Sequence, residues 1–260
     1  MFNNNPRQLT EFEKEADFGF QEISNILNIE NTKMSASCLE IGCGPGILIS
    51  KLKTKFPSLD LEGIEPFSRG FSSKDEYRNF DNKVHNVMYE NFIPEKKYDL
   101  IYSINVLEHV KNWKHLLNYS FKHLKAGGKA VFLFPNYGFP YESHIGIPII
   151  INKSITKIIF REKINTYMQN NGDLTFYDCL NFVKKGDIKK YLNSKEVDFK
   201  FDEKVIIRMK NRFEKDSHFA DRQKHIKLLS KIADMLKIYS LIQLKLLNNF
   251  SPYSKLVIRK

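Results

Sequence analysis

Apolar positions along this chain alternate between a period near two and a period near 3.6, and the switch points define its elements. From Gln8 to Leu27 the residues Leu9, Phe12, Ala16, Phe20, Ile23 and Leu27 recur every three or four positions, which predicts an amphipathic leading helix. Cys38 to Ile41 reads as a short strand, and Ile47, Leu48, Leu52 and Phe56 predict a helix ended by Pro57. Leu59 to Glu65 follows as a second strand closed by Pro66, with Glu62 expected in solvent, and Lys83 to Met88 stands where a third belongs. Tyr98 to Asn105 is apolar enough for a buried parallel strand. The helix marked by Trp113, Leu116, Leu117, Tyr119, Phe121 and Leu124 should stop at Ala126-Gly127-Gly128, before a fifth strand at Ala130 to Phe134. Beyond these, Lys185 to Leu192 predicts a helix, Val205-Ile206-Ile207 a sixth strand, His218 to Leu247 a helical segment and Lys255 to Arg259 a last strand. Such alternation predicts an α/β fold: a parallel sheet with helices on both faces and ligands beyond the carboxyl ends of its strands.

Composition narrows this picture little. With 260 residues and no long linker, the chain is expected to form a single domain. Cys38, Cys43 and Cys179 are odd in number and lack metal-ligand spacing, so reduced thiols in a cytoplasmic protein are expected, with no metal. No apolar run reaches a membrane span, and the polar start Met1-Phe2-Asn3-Asn4-Asn5-Pro6 is no signal peptide. The net charge of +11 is carried mostly by lysines dispersed over the polar faces. Without a basic block interleaved with aromatics, it predicts no specific nucleic-acid partner. The broad apolar stripe of 218–247 suits packing on the sheet or a neighbouring helix; a homodimer contact or a membrane-surface helix is the alternative.

The candidate chemistry begins at Glu40-Ile41-Gly42-Cys43-Gly44-Pro45-Gly46. Three glycines at alternate positions let a chain leaving a strand turn sharply and present bare backbone to a ligand. A dinucleotide fingerprint would need its third glycine at position 47, which is Ile47, so a nicotinamide oxidoreductase is disfavoured. This stretch resembles the first motif of class I S-adenosylmethionine-dependent methyltransferases, of a bacterial small-molecule or glycan type. The resemblance covers residues 35–135 and implies a Rossmann-like, doubly wound, mostly parallel seven-stranded sheet with an antiparallel last strand. It implies S-adenosyl-L-methionine as cofactor. Glu40 would face the methionyl amino group, and Gly42, Cys43, Gly44 and Gly46 would pass beneath the carboxylate and sulfonium. Glu65, about twenty residues past the turn, is placed to accept both ribose hydroxyls. Asn86 stands where relatives often carry an adenine-binding aspartate. Tyr98 to Val110 is similar to the fourth motif, with Asp99 orienting backbone and Ile104 and Asn105 near the cofactor. On this resemblance 1–34 is a helical cap, 35–135 the cofactor-binding core, 136–180 a substrate loop and lid, and 181–260 the completion of the sheet with a helical insertion.

The acceptor end is expected in Pro135 to Pro148, a proline- and glycine-punctuated loop after the fifth strand, with an apolar helical lid ending at Asn170-Asn171-Gly172. Methyl transfer from a sulfonium needs alignment and exclusion of water, and a hydroxyl acceptor also needs its proton removed. His144 is the first candidate base, Glu142 its orienting acid and His109, read at a helix start, the second candidate. Asn136, Tyr137 and Tyr141 are candidate acceptor contacts. The favoured acceptor is a small molecule or saccharide, at oxygen. An RNA or protein acceptor calls for an added nucleic-acid module or a dense basic face, and the sequence shows neither. A non-catalytic binding module would retain every cofactor residue named above.

Overall fold

The computed structural model describes residues 6–29, 35–66, 83–215, 249 and 251–260. Helix α1 (Pro6–Ile29) leads into β1 (Ser37–Ile41), α2 (Ile47–Lys55), β2 (Asp60–Ile64), β3 (Lys83–His85), β4 (Tyr98–Ile104), α3 (Trp113–His123) and β5 (Leu124–Pro135). A small ribbon, β6 (Tyr141–Glu142) with β7 (Ile147–Pro148), is followed by α4 (Lys153–Ile159), α5 (Arg161–Asn171), α6 (Phe176–Cys179) and α7 (Lys185–Asn193). The chain continues through β8 (Asp198–Phe201), α8 (Val205–Lys215) and β9 (Tyr253–Arg259).

Seven strands form one sheet in the order β3-β2-β1-β4-β5-β9-β8. β1 pairs in parallel with β2 and β4, and β2 with β3. The last strand runs antiparallel in an otherwise mostly parallel sheet. Strand order therefore reverses between β1 and β4, the position at which open α/β sheets leave a crevice outside their carboxyl ends. All five residues of β1 are buried, as expected of a strand covered on both faces.

The chain divides into two compact units. The first comprises Met1–Val106, His115–Phe132 and Val257–Lys260. Its core contains Leu39, Ile41, Ile49, Leu52, Ile64, Ile101 and Tyr102, each almost wholly buried. At the amino end of β4, Asp99 accepts the Ser37 backbone N–H at 2.8 Å and its hydroxyl at 2.9 Å, and pairs with Lys125 at 2.7 Å. Asp99 thus ties β1 to β4, the backbone-orienting role its motif implies. The second unit comprises Leu107–Lys114 and Leu133–Leu256. There Ile145, Ile147, Ile164, Met168, Tyr177 and Leu180 form a cluster that packs the ribbon against α5 and α6. As the apolar pattern predicts, helices follow the ribbon, and Gly172 ends α5 in the left-handed region at φ 70°.

Four expectations need correction. Gly127-Gly128 does not end α3; helix gives way to strand at Leu124, and Gly127, at φ 77°, donates to the Lys260 carbonyl. Val205-Ile206-Ile207 opens α8 rather than forming a strand; just before it Asp202 makes a tight turn by accepting the Lys204 N–H at 3.0 Å, and it pairs with Arg208 in the first turn of the helix at 2.6 Å. The sixth strand of the pattern is β8 instead. His109 lies in a turn before α3, not at a helix start. Finally, Glu62 is buried; it accepts the Tyr98 hydroxyl at 2.8 Å and pairs with Lys96 at 2.5 Å. The 218–247 segment lies outside the described residues. Among those described, no helix is long and apolar enough to cross a membrane.

Candidate active site

In the first unit Glu40, Gly42, Cys43, Gly44, Gly46 and Glu65, six of the predicted cofactor residues, gather where β1 turns into α2. Gly42, Gly44 and Gly46 have φ values of 76°, 49° and 74°, a region that other L-residues adopt only under strain. The Gly42 and Cys43 N–H groups both donate to the Ile64 carbonyl, at 2.8 and 3.1 Å, which draws the turn over the end of β2. A Cβ on Gly42 would run into Val106, so the turn leaves no room for a side chain there. Cys43 packs beneath it, buried, and burial lifts its thiol far above the ordinary range; its contribution is backbone, not nucleophilicity.

Two carboxylates flank this turn. Glu40, 4% exposed, points into the interior of its unit, and its Oε2 has no hydrogen-bond partner among the described residues. Burial pushes its pKa up to about 8, with the nearby Tyr102 hydroxyl opposing the rise and the Glu65 charge adding to it. Glu65, just past β2, accepts the Gly44 N–H at 3.0 Å; burial raises its pKa to about 7, partly offset by that bond. A buried acid with an unsatisfied oxygen is energetically costly unless something cationic meets it. An ammonium at Glu40 and hydroxyls at Glu65, above a bare backbone turn, satisfy these groups, so the residues fit S-adenosylmethionine.

Ile104 and Asn105 lie at the tip of β4 under the leading helix. Asn105, at φ 54°, donates its amide to Glu15 at 3.0 Å. Gly19 allows α1 to cross closely, since a Cβ there would sit 2.5 Å from Ile104 Cδ1 and 3.0 Å from Leu48 Cδ2. Asn86 follows β3 directly and is exposed.

In the second unit the acceptor-end candidates form a separate, tightly bonded group. Glu142 is wholly buried on the ribbon. Its Oε1 lies 2.6 Å from His144 Nδ1 and accepts the His144 N–H at 3.0 Å and the Tyr137 hydroxyl at 3.3 Å; its Oε2 accepts the Ile145 N–H at 2.7 Å. Burial alone would raise this carboxyl, but the His144 imidazole and the two amides outweigh it and hold the pKa below the ordinary range. Glu142 is therefore an anion, and its contact fixes the orientation of the His144 ring. His109 stands edge-on to His144 with centroids 5.2 Å apart, and Phe176 packs against both rings. Glu108, also wholly buried, places Oε1 3.8 Å from the Nε2 atoms of both histidines. Asn181 holds the 107–110 turn by donating its amide to the carbonyls of Leu107 at 2.6 Å and Val110 at 2.9 Å.

The three predicted acceptor contacts diverge. Tyr141 carries a buried hydroxyl with no partner among the described residues. Tyr137 is engaged with Glu142 and stacked on Phe182 at 4.4 Å. Asn136, 1% exposed, is spent on structure: its amide nitrogen donates to the carbonyls of Asn249 and Ser251, and its oxygen accepts the N–H groups of Gly138 and Lys185. It has no bond left to offer an acceptor and is a clamp instead. Sequence reasoning did not assign roles to Glu108, Phe176 or Asn181. The Glu108-His109 pair was visible, but nothing in the linear order shows that the ribbon brings His144 back to it.

The sheet order, the glycine turn and the paired carboxylates together define a class I S-adenosylmethionine-dependent methyltransferase. A family model described as a methyltransferase domain matches residues 14–203, and the chain belongs to that family. An uncharacterized protein of Mycobacterium tuberculosis is 27% identical over 201 residues, covering 73% of this chain and 67% of that protein. Malonyl-[acyl-carrier protein] O-methyltransferase 2 of Ilyobacter polytropus is 29% identical over 175 residues, covering 64% of this chain and 57% of the relative. Among solved structures, the plantazolicin methyltransferase BpumL with a triazolic desmethylPZN analog and SAH is similar in fold at TM-score 0.56 and 14% identity, covering 99% of this chain and 92% of that one.

Proposed function

We propose that this enzyme methylates an oxygen of a small molecule or saccharide, with the proton of a hydroxyl acceptor passing to His144. The observation that carries this reading is the 2.6 Å contact between the buried Glu142 carboxylate and His144 Nδ1. It orients the imidazole and stabilises the positive charge formed when Nε2 takes a proton. The Tyr141 hydroxyl is a contact for the acceptor, Tyr137 supports Glu142, and His109 and Phe176 shape the rim. S-adenosylmethionine supplies the electrophilic methyl group. Glu40 would hold its ammonium, the turn at Gly42, Cys43, Gly44 and Gly46 its carboxylate end, Glu65 its ribose hydroxyls, and Ile104, Asn105 and Asn86 the adenosine. Residues 35–135 are then the cofactor-binding core and 136–180 the acceptor loop and lid. The odd number of cysteines, two of them, Cys38 and Cys43, buried beside the turn, supports a cytoplasmic setting.

The O-methyltransferase among the relatives supports oxygen as the methylated atom. A carboxylate acceptor would need no base. Labelled S-adenosylmethionine incubated with hydroxylated and carboxylated small molecules and saccharides, with mass spectrometry for the gain of one methylene, tests the reaction. In a hydroxyl substrate His144→Ala should reduce turnover about 10²- to 10⁴-fold while leaving cofactor affinity unchanged. Full turnover in a folded His144→Ala protein would remove the base from the reading.

A further inference from the structure

We infer that Glu108, His109 and His144 form a binding site for a divalent transition-metal ion of the zinc type. One ligand atom from each of the three lies within 4.8 Å of the others. The same carboxylate oxygen, Glu108 Oε1, stands 3.8 Å from Nε2 of His109 and 3.8 Å from Nε2 of His144. That separation is too long for a hydrogen bond, whose heavy atoms lie about 2.7–3.2 Å apart. It suits two atoms bound to one ion: with bonds of about 2.0–2.2 Å, ligand atoms up to roughly 4 Å apart can share it. The full three-atom group is wider, spanning up to 4.8 Å, so ion binding would require its ligand atoms to draw in through a side-chain rotation.

The surroundings have the form of an ion site. Glu142 accepts a hydrogen bond from His144 Nδ1 at 2.6 Å, which puts the ring proton on Nδ1 and the lone pair on Nε2, facing Glu108. A carboxylate behind a ligating imidazole commonly fixes its tautomer and raises its basicity. Glu108 is wholly buried at the base, Asn181 pins its turn, and Phe176 walls both rings. Two imidazoles and one carboxylate favour a borderline ion such as Zn²⁺ or Co²⁺; Mg²⁺ prefers oxygen ligands alone. Three protein ligands leave a position open, where an acceptor oxygen would lose its proton more readily. In the loaded protein His144 Nε2 is a ligand and takes no proton. The inference concerns binding and does not depend on the base role proposed above.

The test is a Co²⁺ titration of tag-free, chelator-treated protein, read by visible absorption. One equivalent should bind and develop the intensified spectrum of a low-coordinate site, and Zn²⁺ should displace it mole for mole while Mg²⁺ should not. His109→Ala, His144→Ala and Glu108→Gln should each abolish stoichiometric binding, with circular dichroism confirming that they fold. Glu142→Gln should retain the stoichiometry but weaken affinity about 10- to 100-fold. Absence of saturable binding, or its survival in the His109→Ala/His144→Ala double variant, overturns the site. Turnover measured in parallel keeps the two readings apart: a His144→Ala protein that binds Co²⁺ normally but has lost methyl transfer would overturn the metal site and keep the base.

Discussion

Cofactor binding should expel protons, and the number follows from the two carboxyls beside the glycine turn. Glu40 is pushed up to about 8 and Glu65 to about 7 by burial, so at pH 7 about a tenth of the first and half of the second are ionised. A ligand that places an ammonium on Glu40 and hydroxyls on Glu65 selects the ionised form of both. Holding both carboxylates ionised releases about 1.4 protons at pH 7, less about 0.1 taken up by the ligand amine, whose own pKa lies near 8. The same linkage weakens affinity as pH falls: between pH 7 and pH 6 the dissociation constant for S-adenosylmethionine should rise by a few tens of fold. Isothermal calorimetry in phosphate and in Tris at one pH gives the proton count from the difference in apparent enthalpy. In Glu40→Gln the release should drop to roughly half a proton, because only Glu65 still titrates. Binding without proton release, or with an affinity flat from pH 6 to pH 8, would refute the placement of these two groups against the ligand.

Stability of the ligand-free protein should move the opposite way. The raised folded pKa of Glu40 leaves its stability contribution intact below about pH 4.5 and lost progressively up to about pH 8, so Glu40→Gln should melt higher than the parent at pH 8 and much like it at pH 4.5. Gly42→Ala should destabilise by at least about 1–2 kcal/mol through its positive φ, with a further loss from the clash with Val106, and should abolish cofactor binding; Val106→Ala should recover only the clash component in thermal melts. Asn136→Ala removes four hydrogen bonds, two of them buried, and should lower unfolding free energy by about 2–4 kcal/mol in urea titrations, leaving cofactor affinity near that of the parent.

Much of the sheet was legible because β1, β2, β4 and the core of β5 are apolar runs bounded by glycine or proline, and such runs have few other uses. That Glu40, Gly42, Gly44, Gly46 and Glu65 gather around one turn was legible for a related reason: their spacing is set by local backbone geometry at strand ends. What was misread depends on partners remote in sequence. Glu62 looks solvated until Tyr98 and Lys96 arrive beside it, and Asn136 looks available until the carbonyls of Asn249 and Ser251 claim its amide. Val205-Ile206-Ile207 has strand-like β-branching, but the chain there forms a helix, preceded by a turn at Asp202 that also pairs with Arg208. The Glu108-His109-His144 cluster was least legible, since a ribbon reversal rather than a sequence interval brings it together.

The crossing of α1 over the tip of β4 bears on how fast the enzyme can cycle. Asn105 and Glu15, ninety positions apart, join in one hydrogen bond, and the bare Gly19 lets the helix settle on Ile104 and Leu48. A coenzyme held beside Ile104, as proposed above, would have to displace that helix on arrival and again on departure. Release of the spent coenzyme is then expected to set the pace: methylated product should accumulate in a rapid first burst, followed by a slower steady state whose rate rises in Glu15→Ala.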